Sequence, residues 1–572
     1  MNNIKFLKKL ISVAKGKHKA DIILKDSRII NTFNGEIERG NIAIFGNKIA
    51  GVGDYEKGDK IIDLDGDYLA PGLINGHTHL ESSLLHPVEY ARAVVPRGTL
   101  TIITDLHELA NVSGKKGINF VLNWSEKLPI DIMLMAPSCV PSTNFETSGD
   151  KISIKEIKEI LPHKNSLGLG EVMNFPGVIN GDEEVLEKIL LTRNKYVIDG
   201  HAPGLTGKNL NAYIAAGIES EHESVKLEEA KEKLKRGMHL MIREGSTEQN
   251  LKKLLPLVND DNYNRCMFVT DDRTCEDLLN EGGIDNIIRK SIKLGLDPIR
   301  SIRLSTINPA TYFHVPYYGG IAPGYFANLI TFKKLDDFKV NLVFHHGKLV
   351  AKNGSPLFKR PKIPAQLNDT FHVKNFKSDS LNLKTKKIKN GTIKYRVIKI
   401  IPGQIITKKV EESLEVSDNT IMPNIEQDIL KLIVVERHKS TGNIGIGFVN
   451  GFKLKKGALA SSIAHDSHNI ICVGTNNQSI MRAVQKIKDL QGGLIACDNN
   501  EIIASVPLPI AGLLSIEPLK ILNKKYKHLE EAAKSLGDVP IDPFALLSFL
   551  ALAVIPELRL TDKGYVDLTE LD

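Results

Sequence analysis

The tripeptide His77-Thr78-His79 closes an apolar run, GLINGHTH over 72–79, that reads as a β-strand. Residues i and i+2 of a strand point to one side, so both imidazoles project the same way. Taken alone, the triplet fits two turn histidines as well as a metal site. Four further side chains change that balance. Glu171, His201, His222 and Asp271 each close a later short run. Four imidazoles offer neutral nitrogen and two carboxylates offer hard oxygen, a donor set suited to divalent cations. Six donors exceed the need of one tetrahedral ion, so two ions are expected, bridged by Glu171. Such a pair lowers the pKa of a bound water and produces hydroxide near neutral pH. Asp271, at the edge, is the expected proton shuttle, taking the hydroxide proton and passing it to a leaving group. The chemistry predicted is metal-dependent hydrolysis.

A second cluster, Asp105-Leu106-His107-Glu108, closes another run and can either cap the following helix or reach the same site. Asp105 and His107 are assigned to substrate binding, together with Glu81 and Ser82, which follow the HxH closely. Arg273, beside Asp271, is read as a structural ion-pairing residue. His465 and His468 form an HxxH pair far along the chain. Local hydrogen bonding is its expected use, with approach to the active site or metal binding as the alternatives.

These residues need a scaffold that gathers strand ends. Eight candidate strands supply one: 72–79, 100–105, 130–137, 167–171, 196–201, 217–222, 238–243 and 266–271, with helical patterns between. Alternating βα units imply a parallel sheet. Eight of them over about 250 residues fit a (β/α)₈ barrel of the TIM type, whose strand C-termini form the catalytic face. An open doubly wound sheet is the rival arrangement. The barrel is placed at 71–319. Short β-like runs at 21–70 and again at 327–354 suggest a small β-sandwich domain built from both flanks, 1–70 with 320–370. The remainder, 371–572, reads as a separate α+β domain that opens on a polar, lysine-rich stretch at 373–395. Ile4, Leu7, Leu10 and Ile11 recur at helical spacing among lysines, which predicts a short amphipathic helix and not a signal peptide.

Composition narrows the setting. The chain has 572 residues, 42% hydrophobic and 25% charged, as soluble globular proteins have. A net charge of +7 over that length shows no block of like charge, so no nucleic-acid partner is expected. No run reaches the roughly 18 apolar residues of a membrane span. Five cysteines, none in a CxxC pair, argue against a disulfide framework and for a reducing, cytoplasmic location. P-loop, GxSxG and HxE…PCxxC signatures are all absent from the sequence.

Longer strings carry a resemblance. APGLINGHTHLESS resembles the opening of the amidohydrolase superfamily barrel, and INPA with GGIAPGYFANLITF resembles its exit. TLTIITDLHELANVSG, GLGEVMNFPGVI, DGHAPGLTGKNLNAYIAAGIESEHES, GMHLMIREGS and FVTDDR are similar to adenine deaminases of that superfamily. HDSHNIICVGTN and GGLIACDNNEIIASVPLPIAGLLS resemble the last domain peculiar to them. The likeness runs from about residue 20 to 560. It implies conversion of adenine and water to hypoxanthine and ammonia in purine salvage. It further implies two divalent ions, manganese first with iron or zinc as alternatives, and a homodimer. His77, His79, Glu171, His201, His222 and Asp271 match the expected ligand positions. In that mechanism metal-activated hydroxide attacks C6, Glu108 is the candidate acid for the purine N1, and Asp271 protonates the leaving amine. Another barrel hydrolase opening a cyclic amide is the nearest rival, and a non-catalytic scaffold the more distant one. The sequence departs from the pattern at Asn75 and Asn328, where aspartate is common, and at Leu106, where proline is expected.

Overall fold

In the computed structural model, the chain is described over residues 4–364, 366–402, 404 and 406–567. Eight short parallel strands form a ring. The first is Leu73–Asn75, resumed at Thr78–His79. The second to fifth are Thr99–Thr104, Asp131–Ala136, Ser166–Val172 and Val197–Gly200. The sixth is Ser220–Glu221, the seventh His239–Arg243, and the eighth Cys266–Val269, resumed at Asp271–Asp272. Strands one to five make one continuous arc, and strands six to eight another. One seam between the arcs is joined by Glu219 N–H to Ile198 O at 3.0 Å. The other is closed by parallel pairing of Asp271 with Thr78, and by Asp271 N–H to His77 O at 3.1 Å. Closure on both sides excludes the open doubly wound sheet.

Most of the strands are rich in apolar residues because both faces are covered. Every residue of Thr99–Thr104 is buried. Helices cover the outside with one apolar stripe each. In Ile284–Lys293 the buried positions include Ile284, Ile287, Ile288 and Ser291, the i, i+3, i+4, i+7 pattern of a single helix face. Helix Ile154–Ile160 starts at Ser153, whose side chain and that of Glu156 form a reciprocal capping box.

The flanks meet in one hydrogen-bonded sheet. Strand Tyr68–Pro71 pairs with Leu329–Phe332, so the chain segment entering the barrel lies beside the one leaving it. Ala20–Ile30, Ile37–Phe45 and Lys48–Gly53 extend that sheet on one side, and Val340–His345 with Lys348–Lys352 on the other. The N-terminal helix, Ile4–Ala14, lies on this sheet. Val13 is buried, Phe6 stacks on Phe45, and the Tyr55 hydroxyl donates to Ala14 O at 2.6 Å.

Beyond residue 390 a nine-stranded sheet forms around Ile429–Val435, all seven residues of which are buried. Helix Asn477–Leu490 packs Ile480, Ala483, Val484 and Ile487 against it, and is capped at its start by Asn476. The lysine-rich stretch at 373–395 is no free linker: Leu381 is fully buried, and from Gly391 the chain is strand. Two adjacent antiparallel strands, Ala458–Ser461 and Ile470–Gly474, are joined by the loop 462–469, which carries His465 and His468. This region binds directly to the loops at the barrel mouth. Thr147 N–H donates to Asp562 at 2.9 Å, Asn469 to Thr147 O at 2.9 Å, and Ser515 N–H to Leu84 O at 2.8 Å.

Candidate metal centre

The C-terminal ends of the barrel strands bring all six expected ligands together. His77 and His79 leave the first strand, with ring centroids 4.7 Å apart. His79 Nε2 is 3.3 Å from Glu171 Oε1 and 3.1 Å from Asp271 Oδ1. His77 Nε2 is 3.4 Å from the same Asp271 oxygen, and its ring stacks on His222 at 4.2 Å. Glu171 spans the site: its other oxygen, Oε2, lies 2.8 Å from His201 Nδ1 and 3.3 Å from His222 Nε2. One carboxylate thus faces His79 with one oxygen and the His201–His222 pair with the other.

Local structure explains each placement. Glu171 is the penultimate residue of the fourth strand, and its carbonyl accepts from the Ser138 hydroxyl at 2.7 Å. Tyr213 ties the fourth strand to the fifth, accepting from His201 N–H at 3.0 Å and donating to Val172 O at 2.8 Å. Asp271 takes the left-handed conformation with φ of +54°, a local break after Val269 that lets the strand resume beside the first. Its second oxygen, Oδ2, accepts from Arg243 at 2.8 Å. Arg243, the last residue of the seventh strand, also forks onto both oxygens of Glu223. This Arg243–Glu223 support was not singled out in the sequence, where an arginine at a strand end carries no distinctive spacing.

Four buried polar atoms of the cluster make no hydrogen bond of good geometry, three of them having only long contacts of 3.3–3.4 Å to an opposite charge: His77 Nε2, His79 Nδ1, Glu171 Oε1 and His222 Nδ1. An unpartnered buried donor or acceptor costs about 1–3 kcal/mol, so native proteins rarely leave several together without a ligand to take them. The charges point the same way. Burial opposes a charge on His79, but the carboxylates of Asp105 and Asp271 beside its two ring nitrogens hold its pKa well above the ordinary imidazole value. Burial likewise opposes charge on His201, and Glu223 and Glu171 still raise it to about 9. Burial would raise the Glu171 carboxyl; His201 and His222 hold it well below the usual carboxylate range. Asp271 is held low against burial by His77, His79 and Arg243. The carboxylates therefore demand positive charge at this spot, and the residues present fit divalent ions.

The second-strand cluster divides. Asp105 and His107, expected on the substrate, lie within the ligand group: His107 Nδ1 is 3.0 Å from Asp105 Oδ1 and 3.4 Å from Glu171 Oε1, and Asp105 is 3.4 Å from His79 Nδ1. Glu81, Ser82 and Glu108 instead line the adjoining pocket with Asp272. Burial pushes the Glu81 carboxyl up to about 7, and the Ser82 hydroxyl bonds Asp272. Arg273 also lines this pocket, and its guanidinium makes the ion pair expected of it, with Glu281 at 2.7 Å, and bonds the carbonyls of Gly245 and Gly282.

The HxxH pair corrects the expectation of local bonding. His465 Nδ1 meets Glu108 Oε1 at 2.7 Å, and His468 Nε2 meets Glu108 Oε2. The pair crosses from the last region to the barrel mouth, and both histidines line the pocket. Against burial, His465, His468 and His107 hold Glu108 well below the ordinary carboxylate range. Against burial too, Glu108 raises His465 to about 9, whereas burial prevails at His468 and lowers it.

Comparison with known proteins agrees with this arrangement. Residues 68–350 match the amidohydrolase family, and residues 404–572 match the adenine deaminase C-terminal domain. An adenine deaminase of Dehalococcoides mccartyi is 52% identical over 563 residues, covering 98% of each chain. The chain belongs to the adenine deaminase family. Adenine deaminase 2 of Carboxydothermus hydrogenoformans is 46% identical, over 99% of this chain and 98% of its own. An adenine deaminase of Methanothrix thermoacetophila is 43% identical over 98% of both chains. Within this adenine deaminase family member, the structure accounts for the three departures in sequence. Asn75 uses both ends of its amide on Thr270, accepting from its N–H at 3.1 Å and donating to its hydroxyl at 2.7 Å. Asn328 donates to Asp131, where a carboxylate would repel. Leu106 adopts φ of +57°, which a proline ring forbids, and turns the chain into helix His107–Ser113.

Proposed function

We propose that the chain hydrolyses adenine to hypoxanthine and ammonia, as the names of its relatives indicate. The observation that carries this reading is the convergence of four imidazoles and two carboxylates, with unpartnered buried atoms, beside a pocket at the barrel mouth. His77, His79, Glu171, His201, His222 and Asp271 would hold two divalent ions, manganese first. When bound, such a pair supplies Lewis acidity and lowers the pKa of a water molecule.

The chain's own residues do the rest. Asp271 is positioned by Arg243 and the two first-strand histidines, and stays an anion able to accept a proton. It takes one proton of the attacking water as the C6–O bond forms and gives it to the amine as the C6–N bond breaks. Glu108 sits at the pocket between imidazoles and is assigned to the N1 proton, which is made good by the second proton of the water as the C6 oxygen loses it. Asp105 and His107 orient His79 and Glu171 from behind, as carboxylate–histidine pairs do around metals. Glu81 and Ser82 face the substrate. We further assign the chain three parts, 1–70 with 320–370, 71–319 and 371–572, and a cytoplasmic homodimer as its working form.

The test is ammonia release from adenine by protein loaded with Mn²⁺, followed by the loss of adenine absorbance. Turnover should stop on chelation and return with metal. Asp271→Asn should retain part of its metal and lose turnover by ~10² or more. A fully active Asp271→Asn variant sinks the shuttle assignment, and ring opening of a cyclic amide without adenine turnover sinks the substrate.

A further inference from the structure

The loop 462–469 reaches the barrel mouth although the chain has run more than 350 residues past Glu108. Three observations give it a purpose beyond fastening two regions together. First, both oxygens of the Glu108 carboxylate are engaged. Each of its oxygens holds one histidine of the pair, and His107 Nε2 stands 3.4 Å from Oε1. Second, the two histidines are not equivalent. His468 is 1% exposed, and its Nδ1 faces the backbone N–H of Ala464 at 3.3 Å. His465 uses only Nδ1. Its Nε2 has no hydrogen-bond partner among the described residues, yet that atom is not closed off as the orphaned atoms of the metal cluster are. Third, the ring of His465 is held flat. It stacks on Phe549 with centroids 4.8 Å apart and planes 18° apart.

The pocket beside it has two characters. Glu81, Ser82, Glu108 and Asp272 make its polar end at the barrel mouth. Ile463, Leu494, Phe544 and Phe549, all from the last region, make an apolar wall. A planar heteroaromatic base fits that division, with its faces against the apolar wall and its nitrogen-bearing edge toward the polar end. An imidazole held rigid at the boundary, with one free nitrogen, offers a single directed hydrogen bond to that edge. Rigid polar groups of this kind discriminate between ligands because little conformational freedom is lost on contact.

We propose that His465 contacts the purine directly, its Nε2 hydrogen-bonding a ring nitrogen, with Glu108 and Phe549 as its positioning residues and His468 anchoring Glu108 from the other side. The last region would then supply part of the substrate site. The proposal rests on the adenine deaminase reading of the barrel.

The decisive experiment uses the full-length, metal-loaded protein and hypoxanthine, which binds without turning over. Calorimetric affinity for hypoxanthine and steady-state KM for adenine are compared between wild type and His465→Gln, with metal content and melting temperature measured alongside. Loss of one directed hydrogen bond should weaken both by about tenfold while metal content stays unchanged. Added imidazole should partly restore affinity in His465→Ala. Unchanged hypoxanthine affinity and KM, with only a lowered melting temperature, would overturn the proposal and leave the loop a structural clamp. Should the variants fail to fold, wild-type protein answers instead: hypoxanthine should slow carbethoxylation of His465 by diethyl pyrocarbonate, read on its own peptide, and absence of protection overturns the contact. Absence of adenine turnover in wild type would defeat the proposed function separately, since protection by a purine is read without catalysis.

Discussion

Two clusters of histidine and aspartate lie at opposite ends of one barrel. At the mouth, residues from strand C-termini leave four buried atoms unpartnered. At the base, Asp131 begins the third strand. Its Oδ2 accepts from His345 Nε2 at 3.1 Å and from Asn328 at 3.3 Å, and stands 3.3 Å from His346 Nε2. Both groups have the residue types and spacing of a metal site. The base cluster, however, closes on itself: its carboxylate is taken, the two imidazoles stack at 4.1 Å, and among its buried atoms in the described residues only His346 Nε2 lacks a hydrogen bond of good geometry. At the mouth, Glu171, Asp271 and Asp105 crowd the histidines, and each of these carboxylates faces two or more of them. The lesson is that donor types do not define a metal centre. Unspent hydrogen-bonding capacity and excess carboxylate charge, on the face where a barrel does chemistry, define it better.

That contrast can be broken by substitution at either end. The largest effect is expected for Glu171→Gln, which should lose bound metal and drop ammonia release by more than ~10², while His345→Ala with His346→Ala keeps both. Metal lost equally from the two variants would erase the distinction. Next comes Arg243→Met, which strands Glu223 and weakens the hold on Asp271. Removing one partner of a buried ion pair costs about 3–5 kcal/mol, so chemical denaturation should show a marked loss together with a lower kcat.

Asp131→Asn tests the base cluster as a purely structural joint. Stability should fall by about 1–3 kcal/mol with turnover unchanged where the protein is folded. Burial pushes the Asp131 carboxyl up, but His345 and His346 outweigh it and depress its pKa. A depressed carboxylate contributes its stability above the unfolded value and loses it as pH falls. The melting-temperature gap between wild type and Asp131→Asn should therefore be full at pH 7 and shrink below about pH 4. The smallest effect is reserved for Asn328→Asp, which sets a second carboxylate beside Asp131. A melting-temperature loss worth about 1 kcal/mol should show at neutral pH and fade on acidification.

Much of the barrel was legible because its signals are local. Each of the eight expected runs overlaps a strand, down to the polar sixth, which shrinks to Ser220–Glu221. His77, His79, Glu171, His201, His222 and Asp271 could be gathered because a parallel barrel puts all its strand ends on one face. What escaped depends on tertiary geometry. Asp105 and His107 belonged to the ring, but the left-handed turn at Leu106 decides that they stand among the ligands while Glu108 faces the pocket. The contact between Glu108 and the HxxH pair carries no local signal at all. A histidine three residues from another is equally consistent with a loop bond, and only the docking of the nine-stranded sheet region reveals the choice.

The ring is built from two arcs, and the candidate site spans both joints. His77, His79 and Asp271 gather where the first and eighth strands close, and His201 and His222 end strands on either side of the other seam. Glu171, within the larger arc, reaches toward both groups. Any cation shared by such a set works as a rivet as well as a reagent. A ring that has not shut cannot present the full donor set, so loading of such an ion would double as an inspection of assembly.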